Sequence, residues 1–497
     1  MKTHTNISKV LVMKFLLLFA TLCCFETFGA NYTTMRSGTI NDANALTTPY
    51  TSTVGLPIGN NDRIIINAGH TLTVDVAERL RFVEIRPGGI LSINAGITLR
   101  ADRPLLLEFG NGVAGARITG AGTYRQNNAT VTVNFIGGAY VSGATIDVNN
   151  FRLTQDVTFT VADDGSSTNE DLIISSIITD AGDNDFLVKE GPGSLTLSGI
   201  NTMQRVELNT GKLNVNNAQA LGNLTNNAGA FRINGGTIDN TSPGAIISVI
   251  GKRTNINADF IFVGTNDLSI GTGIITLSNS FDITTYARIL TLDGSVRQTG
   301  TYKLGKRGLG TLALTKDNLH DGTILHDGTL DIQHARAIGG FNKTIGDPAL
   351  TINGGIIDCT TGDITFGRNY RQNWNGSFAF TGSNNLNMAA GAIRLFNDLT
   401  VTVNGSELTI GGVISDDGNN DDLTKDGVGT LTLTRGNTHQ STTLDAGQLN
   451  INHVRALGGE TGVPGSFKIN GGTIDNTSGA DIILTRAYRQ TWTSDFI

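Results

Sequence analysis

The 497-residue chain predicts an all-β fold, a parallel β-helix or β-solenoid of about 20 rungs. Three observations carry this. A long phrase is written three times, at LVKEGPGSLTLSGINTMQRVELNTGKLNVNNAQALGN (187–223), YKLGKRGLGTLALTKDNLHDGTILHDGTLDIQHARAIGG (302–340) and LTKDGVGTLTLTRGNTHQSTTLDAGQLNINHVRALGG (423–459). Within it, apolar and polar residues alternate over runs of five or six. Glycine is abundant at 63 residues while proline is only 8, which suits many tight turns between ordered segments rather than a disordered linker.

The landmarks keep a common period. Lys189, Lys306 and Lys425 open the phrase K-x-G-x-G and are 117 and 119 residues apart. Gly211, Gly328 and Gly447, and then Ala220, Ala337 and Ala456, repeat those spacings, while Ile-Asn-Gly-Gly starts at 233, 352 and 469. Arg253, Arg371 and Arg489 are 118 apart each time. The long unit is therefore about 118 residues, with copies beginning near 187, 304 and 423 and the last one incomplete.

Each run reads as a half-buried strand. In GTLTLT (429–434) Leu431 and Leu433 point inward and Thr430, Thr432 and Thr434 outward; GQLNIN (447–452) and FKINGGTI (467–474) alternate likewise. Threonine suits strands, and asparagine on the polar side can form side-chain ladders between stacked coils. Such strands allow a sandwich array, a propeller or a solenoid. The phrases recur every ~15–25 residues, the length of one rung, which favours the solenoid. About 465 residues at ~22 per rung would form a rod of roughly 100 Å at ~4.8 Å per rung.

The chain divides into three parts. Residues 1–30 read as a signal peptide: Lys2, Lys9 and Lys14 precede the apolar run FLLLFATLCCF, which is too short to span a bilayer of ~30 Å. Cleavage after Gly29 or Ala30 fits, and Ala-Thr-Leu before Cys23 is a poor match to a lipidation site. Residues 31–150 are the N-terminal cap and first rungs, with paired short strands in NDRIIINAGHTLTVD (61–75) and FVEIRPGGILSINAGITL (82–99). Residues 151–497 are the repetitive β-helix. Beyond residue 30 only Cys359 remains, so no intrachain disulfide can form. The whole chain carries −7; residues 1–30 carry three lysines and Glu26, a net +2, which leaves −9 for the rest. That balance argues against a nucleic-acid partner.

The phrase at 423–458 resembles the autotransporter-associated β-strand repeat, whose usual form is close to LTKxGxGTLTLxGxNTYxGxTxxxxGxLxxxxxxALG. The matching residues are Leu423, Thr424, Lys425, Gly427, Gly429, Thr430, Leu431, Thr432, Leu433, Asn437, Thr438, Gly447, Leu449, Ala456, Leu457 and Gly458. The resemblance implies a right-handed parallel β-helix, a secreted or surface-displayed bacterial protein with a stalk or adhesin-like role at the outer membrane, and no catalytic residues. It also implies a C-terminal anchor or translocator, which is not written in this chain: the sequence stops at RQTWTSDFI, which aligns in mid-unit with RQNWNGSFA (371–379). The expected partner is an extracellular polysaccharide or a surface protein, bound through avidity along a repetitive face.

Candidate sites are few. The rival reading, a polysaccharide lyase or hydrolase on the same fold, needs aspartates on adjacent rungs that are not repeated. The acidic clusters DAGDND (180–185) and DDGNNDD (416–422) sit at equivalent positions, and DDGSSTNED (163–171) is a third. Equivalence favours turns, although weak Ca2+ binding by Asp183, Asp185, Asp416, Asp417, Asp421 and Asp422 is chemically reasonable. No other cofactor is expected. His320, His326 and His334 read as isolated surface residues, with His334 matched by His453 and no metal-ligand spacing around them. Trp374 and Trp492 are 118 apart, each preceded by Tyr-Arg-Gln-x. With Arg371 and Arg489 they form the candidate sugar-stacking surface of a carbohydrate-binding array. Ile256 in the first copy favours a packing position instead. The lysine of K-x-G-x-G is no phosphate loop, because no helix follows it.

Overall fold

The computed structural model describes residues 31–40, 46–47, 62–166, 168–180, 182, 184–222, 230–248, 251–340, 347–459 and 465–497. The signal-peptide reading of residues 1–30 lies outside them.

The fold is a β-solenoid of about 18 turns, built from parallel strands with no helix among the described residues. Each turn runs across three faces. Face 1 begins at Asn31–Thr34 and continues through Arg63–Ile66, Val157–Val161 and Phe186–Glu190 to Val296–Gln298. Face 2 runs from Gly38–Thr39 to Ile414–Ser415. Face 3 holds Glu78–Leu80 and Thr98–Ala101 early on, and Ile246–Ile247 through Arg489–Trp492 later. After Gln298 the ladder on face 1 is carried by irregular segments, Leu319 N donating to Val296 O at 2.7 Å and Gly340 N to His320 O at 2.7 Å. Strands resume on that face at Ile364–Thr365.

Period-two patterning explains the cross-section. In Thr430–Leu433, Leu431 and Leu433 are buried inside, as their alternation requires. The same holds for Leu449 and Ile451 one rung on, paired in register as Leu431↔Leu449 and Leu433↔Ile451. The outward side is not simply wet. Thr432 and Asn450 are also buried, linked Asn450 Nδ2 to Thr432 Oγ1 at 2.8 Å and Thr432 Oγ1 to Glu407 Oε1 at 2.5 Å. Asparagine ladders form at the turns: Asn257 donates to Asn234 and Asn234 to Asn209, each at 2.7 Å.

The first coils turn corners differently. Arg117–Gln126 pairs with Ile90–Ile93 on face 2 and then with Thr98–Ala101 on face 3. A bulge between Gly120 and Thr123 bends it. Gly120 adopts φ 109°, and a β-carbon there would lie 2.3 Å from Ile93 O, so only glycine fits. At the start, Leu46–Thr47 runs antiparallel beside Asn31–Thr34. That strand occupies an edge that would otherwise be open to pairing with another chain.

The repeat does not return to its starting face. Lys189 sits on face 1, Lys306 on face 2 and Lys425 on face 3. Val296–Gln298 is the fifth strand after Phe186–Glu190 on face 1, and the next strand, Lys303–Arg307, is already on face 2. Each unit therefore advances five turns and one third.

Candidate functional site

The three lysines of K-x-G-x-G are buried, with no exposed surface. Their period-two position points them into the rod at a corner, where the chain turns over Gly191, Gly308 or Gly427. Lys189 Nζ donates to the carbonyls of Glu190 (2.8 Å), Gly191 (2.8 Å) and Thr210 (3.3 Å). Lys306 Nζ donates to Arg307, Gly308 and Asp327, and Lys425 Nζ to Asp426, Gly427 and Ala446. Three donors meet three acceptors, two in the lysine's own turn and one in the next rung. Burial pushes Lys189 down to about 7 and Lys306 and Lys425 to about 8. The carbonyls act the other way, since only the ammonium has three protons to give. A lysine with a depressed pKa suits a catalytic base, but these have no path to a substrate. They are staples between rungs.

The staple explains a glycine one rung later. A β-carbon on Gly211, Gly328 or Gly447 would lie 2.7, 2.6 or 2.9 Å from the Nζ of Lys189, Lys306 or Lys425, and all three glycines have positive φ. The lysine and that glycine therefore repeat together.

A second staple fills whichever face of each copy has no strand from the phrase: face 3 in the first copy, face 1 in the second and face 2 in the third. Asn201 Oδ1 accepts from Ile178 N of the rung before (2.8 Å) and Nδ2 donates to Ala220 O of the rung after (2.7 Å). Asn318 spans Val296 N and Ala337 O, and Asn437 spans Ile414 N and Ala456 O. Two residues on, copies two and three carry a buried histidine. His439 Nε2 lies 2.9 Å from Thr442 Oγ1, whose own proton goes to Leu457 O at 3.1 Å, so the imidazole donates from Nε2. Burial lowers His439 to about 4, keeping it neutral. His320 and Thr323 repeat the arrangement at 3.0 Å, whereas the first copy has buried Met203 and Val206 in those places.

These positions correct the sequence reading. His320 is a core residue rather than a surface one, and it has a counterpart, His439, 119 residues away. His326 and His334 are partly exposed at turns. The sugar-stacking set does not assemble. Trp374 is 0% exposed, donates Nε1–H to Gln372 Oε1 at 3.0 Å and packs edge-on against Phe378, so it forms no ligand surface. Trp492 is 61% exposed. Trp374 is on face 2 and Trp492 on face 3, with exposed Arg371 and Arg489 beside them. Both acidic turns keep their equivalent places, before Phe186–Glu190 and before Leu423–Asp426, but on different corners of the rod. Asp416 Oδ1 and Asp417 Oδ1 each accept a backbone N–H two residues on, the bonds of ordinary turns. Asp183 lies outside the described residues.

One shallow depression, about 490 Å³, is lined by Ser295, Arg297, Lys316, Asp317 and His334 among others. Its single carboxylate, Asp317, is paired with Arg336 at 2.9 Å. Two cooperating carboxylates, the usual requirement for glycoside hydrolysis, are not brought together there.

Comparison with known proteins follows the same line. The adhesin BmaC autotransporter of Brucella suis biovar 1 (strain 1330) is 31% identical over 183 residues. The chain resembles an autotransporter-associated β-helical passenger. The match covers 35% of this chain and only 5% of that relative's length. No protein-family model and no solved structure matches.

Proposed function

We propose that the chain is an exported, adhesin-like β-solenoid of the bacterial surface, serving as a stalk or as binding surface for an extracellular polysaccharide or surface protein. The observation that carries this is the stack itself: about 18 turns with a continuous core, joined to sequence similarity with an autotransporter adhesin. The buried lysines of K-x-G-x-G and the asparagines Asn201, Asn318 and Asn437 are consumed in holding rungs together, which supports a structural rather than an enzymatic role.

The geometry revises how such a rod would bind. Equivalent positions fall on three different faces, so the repeats do not build one repetitive face for avidity. A partner recognising the repeat would have to follow it around the axis, about 26 Å of rise per third of a turn at ~4.8 Å per rung. A partner lying along one face meets a different part of each copy.

The test uses the purified chain. Solution scattering is expected to give an elongated profile and circular dichroism a spectrum dominated by strand. Binding to bacterial or host surfaces should occur without cleavage of acidic polysaccharides. Cleavage that is lost on replacing one aspartate cluster would replace the adhesin reading with an enzyme.

A further inference from the structure

The loop from 162 to 171, just ahead of the first copy, is longer than its equivalents ahead of the other two. Ten residues separate Val157–Val161 from Leu172, in the turn one rung before the Lys189 staple. The equivalent turns before Lys306 and Lys425 have three residues (286–288) and three (404–406) between strands. The added residues bring carboxylates together. Asp163, Asp164 and Asp171 each place an oxygen within 4.8 Å of the others.

Ordinary turn chemistry accounts for part of this group. Asp163 Oδ1 accepts from Gly165 N (3.0 Å), and Asp164 accepts from Ser166 N (2.9 Å) and Asn169 Nδ2 (2.5 Å). It does not account for Asp171, which is 1% exposed. Asp171 Oδ2 accepts from Ser194 N (2.7 Å) and Ser194 Oγ (3.1 Å), while Oδ1 is buried with no hydrogen-bond partner. A buried carboxylate oxygen left bare is costly. Burial pushes Asp171 up to about 6, and the two carboxylates beside it add a smaller repulsion. Lys189 is the nearby cation that acts on Asp171, and its ammonium is committed to three carbonyls.

We propose that Asp163, Asp164 and Asp171 form a binding site for a divalent cation, with Ca2+ the ion of choice. Three hard oxygens converge, one from a buried aspartate and two from aspartates nearer the surface. That suits the variable coordination of Ca2+ better than the strict octahedron of Mg2+. Water and backbone carbonyls would complete the shell. The bound ion would fasten this loop to the rung that opens the first repeat. Neither the acidic turn at 180–185 nor the one at 416–422 gathers three carboxylates in this way among the described residues.

Calorimetric titration of the whole chain with CaCl2 tests this, beside the double variant Asp163→Asn/Asp164→Asn, whose side chains lie outside the core. One site is expected, with Kd of about 0.1–1 mM, the range of extracellular Ca2+ modules. The double variant should bind at least tenfold more weakly, and MgCl2 should bind the unaltered chain more weakly than CaCl2. Asp171→Asn should also lose the site, and thermal melting of the double variant should no longer respond to Ca2+. Absence of binding up to 10 mM, or binding that survives in the double variant, would overturn the site. Equal or tighter binding of Mg2+ would overturn the choice of ion.

Discussion

Residues 62–161 fill the rod with rings. Tyr124 stacks on Phe151 with centroids 5.4 Å apart, Phe151 meets Phe159 at 5.9 Å, and Phe109 meets Phe135 at 5.3 Å. Long strands bend around corners, and no lysine is buried there. From Phe186 onward the same three-faced section is held by Lys189, Lys306 and Lys425 in carbonyl nests and by Asn201, Asn318 and Asn437 between rungs. The shared section shows that the shape needs only alternating apolar strands. The repeated phrase spells out something further, a set of polar staples that fix where one rung sits on the next.

Substitutions can break that contrast. Phe151→Ala removes a ring from the centre of the aromatic stack and is expected to cost about 4 kcal/mol. Amide exchange should report the loss in residues 98–161 more than in the repeats, since stacked arrays open locally. Lys306→Met leaves the carbonyls of Arg307, Gly308 and Asp327 without their donor, an expected loss of about 3 kcal/mol centred on 303–332. A gain in stability would show that desolvation of the ammonium outweighs its bonds.

Acid should separate the regions too. The imidazole of His439 titrates near 4 in the fold and at ~6.5 when unfolded, so the unfolded chain binds more protons between those values. Its contribution is complete above pH 6.5 and falls as pH drops toward 4, by up to about 3 kcal/mol. Exchange at 437–458 should therefore accelerate below pH 6, whereas the aromatic coils carry no buried histidine. His439→Met should abolish this dependence.

The histidine pair offers a smaller test. Thr442→Val alone removes the acceptor of His439 and should cost about 1–2 kcal/mol. His439→Met with Thr442→Val rebuilds the Met203–Val206 pair of the first copy and should recover most of that loss. The smallest effect is expected at Trp492→Ala, within about 0.5 kcal/mol, because this ring is exposed where its counterpart Trp374 is enclosed.

Much of the fold was legible in the residues. Leu431 and Leu433 announce their inward side by alternation, and the asparagine ladder at Asn209, Asn234 and Asn257 is foreshadowed by polar positions one rung apart. The lysine staples were not, because nothing in a lysine placed just before a Gly-x-Gly turn marks it as buried. Its burial is created by the following rung, and the trace left in sequence is the glycine 22 residues later, as from Lys189 to Gly211. The spacing of His320 and His439 was also present, but both lie outside the strands, where no alternation marks them as inward. The rotation was arithmetic: ~118 residues at ~22 per rung leaves about a third of a turn. The acidic stretch 163–171 was visible in the sequence, but the convergence of Asp163, Asp164 and Asp171 was not, since Asp171 meets the other two only after the loop closes.

The rotation of successive copies by one face is the central claim, and paired spin labels measure it directly. Glu190 and Arg297 lie on face 1 five rungs apart, about 24 Å at ~4.8 Å per rung; Arg307 is ten residues beyond Arg297 and on face 2. Pulsed electron–electron distances should show the Glu190–Arg307 pair clearly farther apart than the Glu190–Arg297 pair, because a sideways step is added to the rise. A Glu190–Arg307 distance equal to or shorter than the same-face distance would contradict the rotated stack.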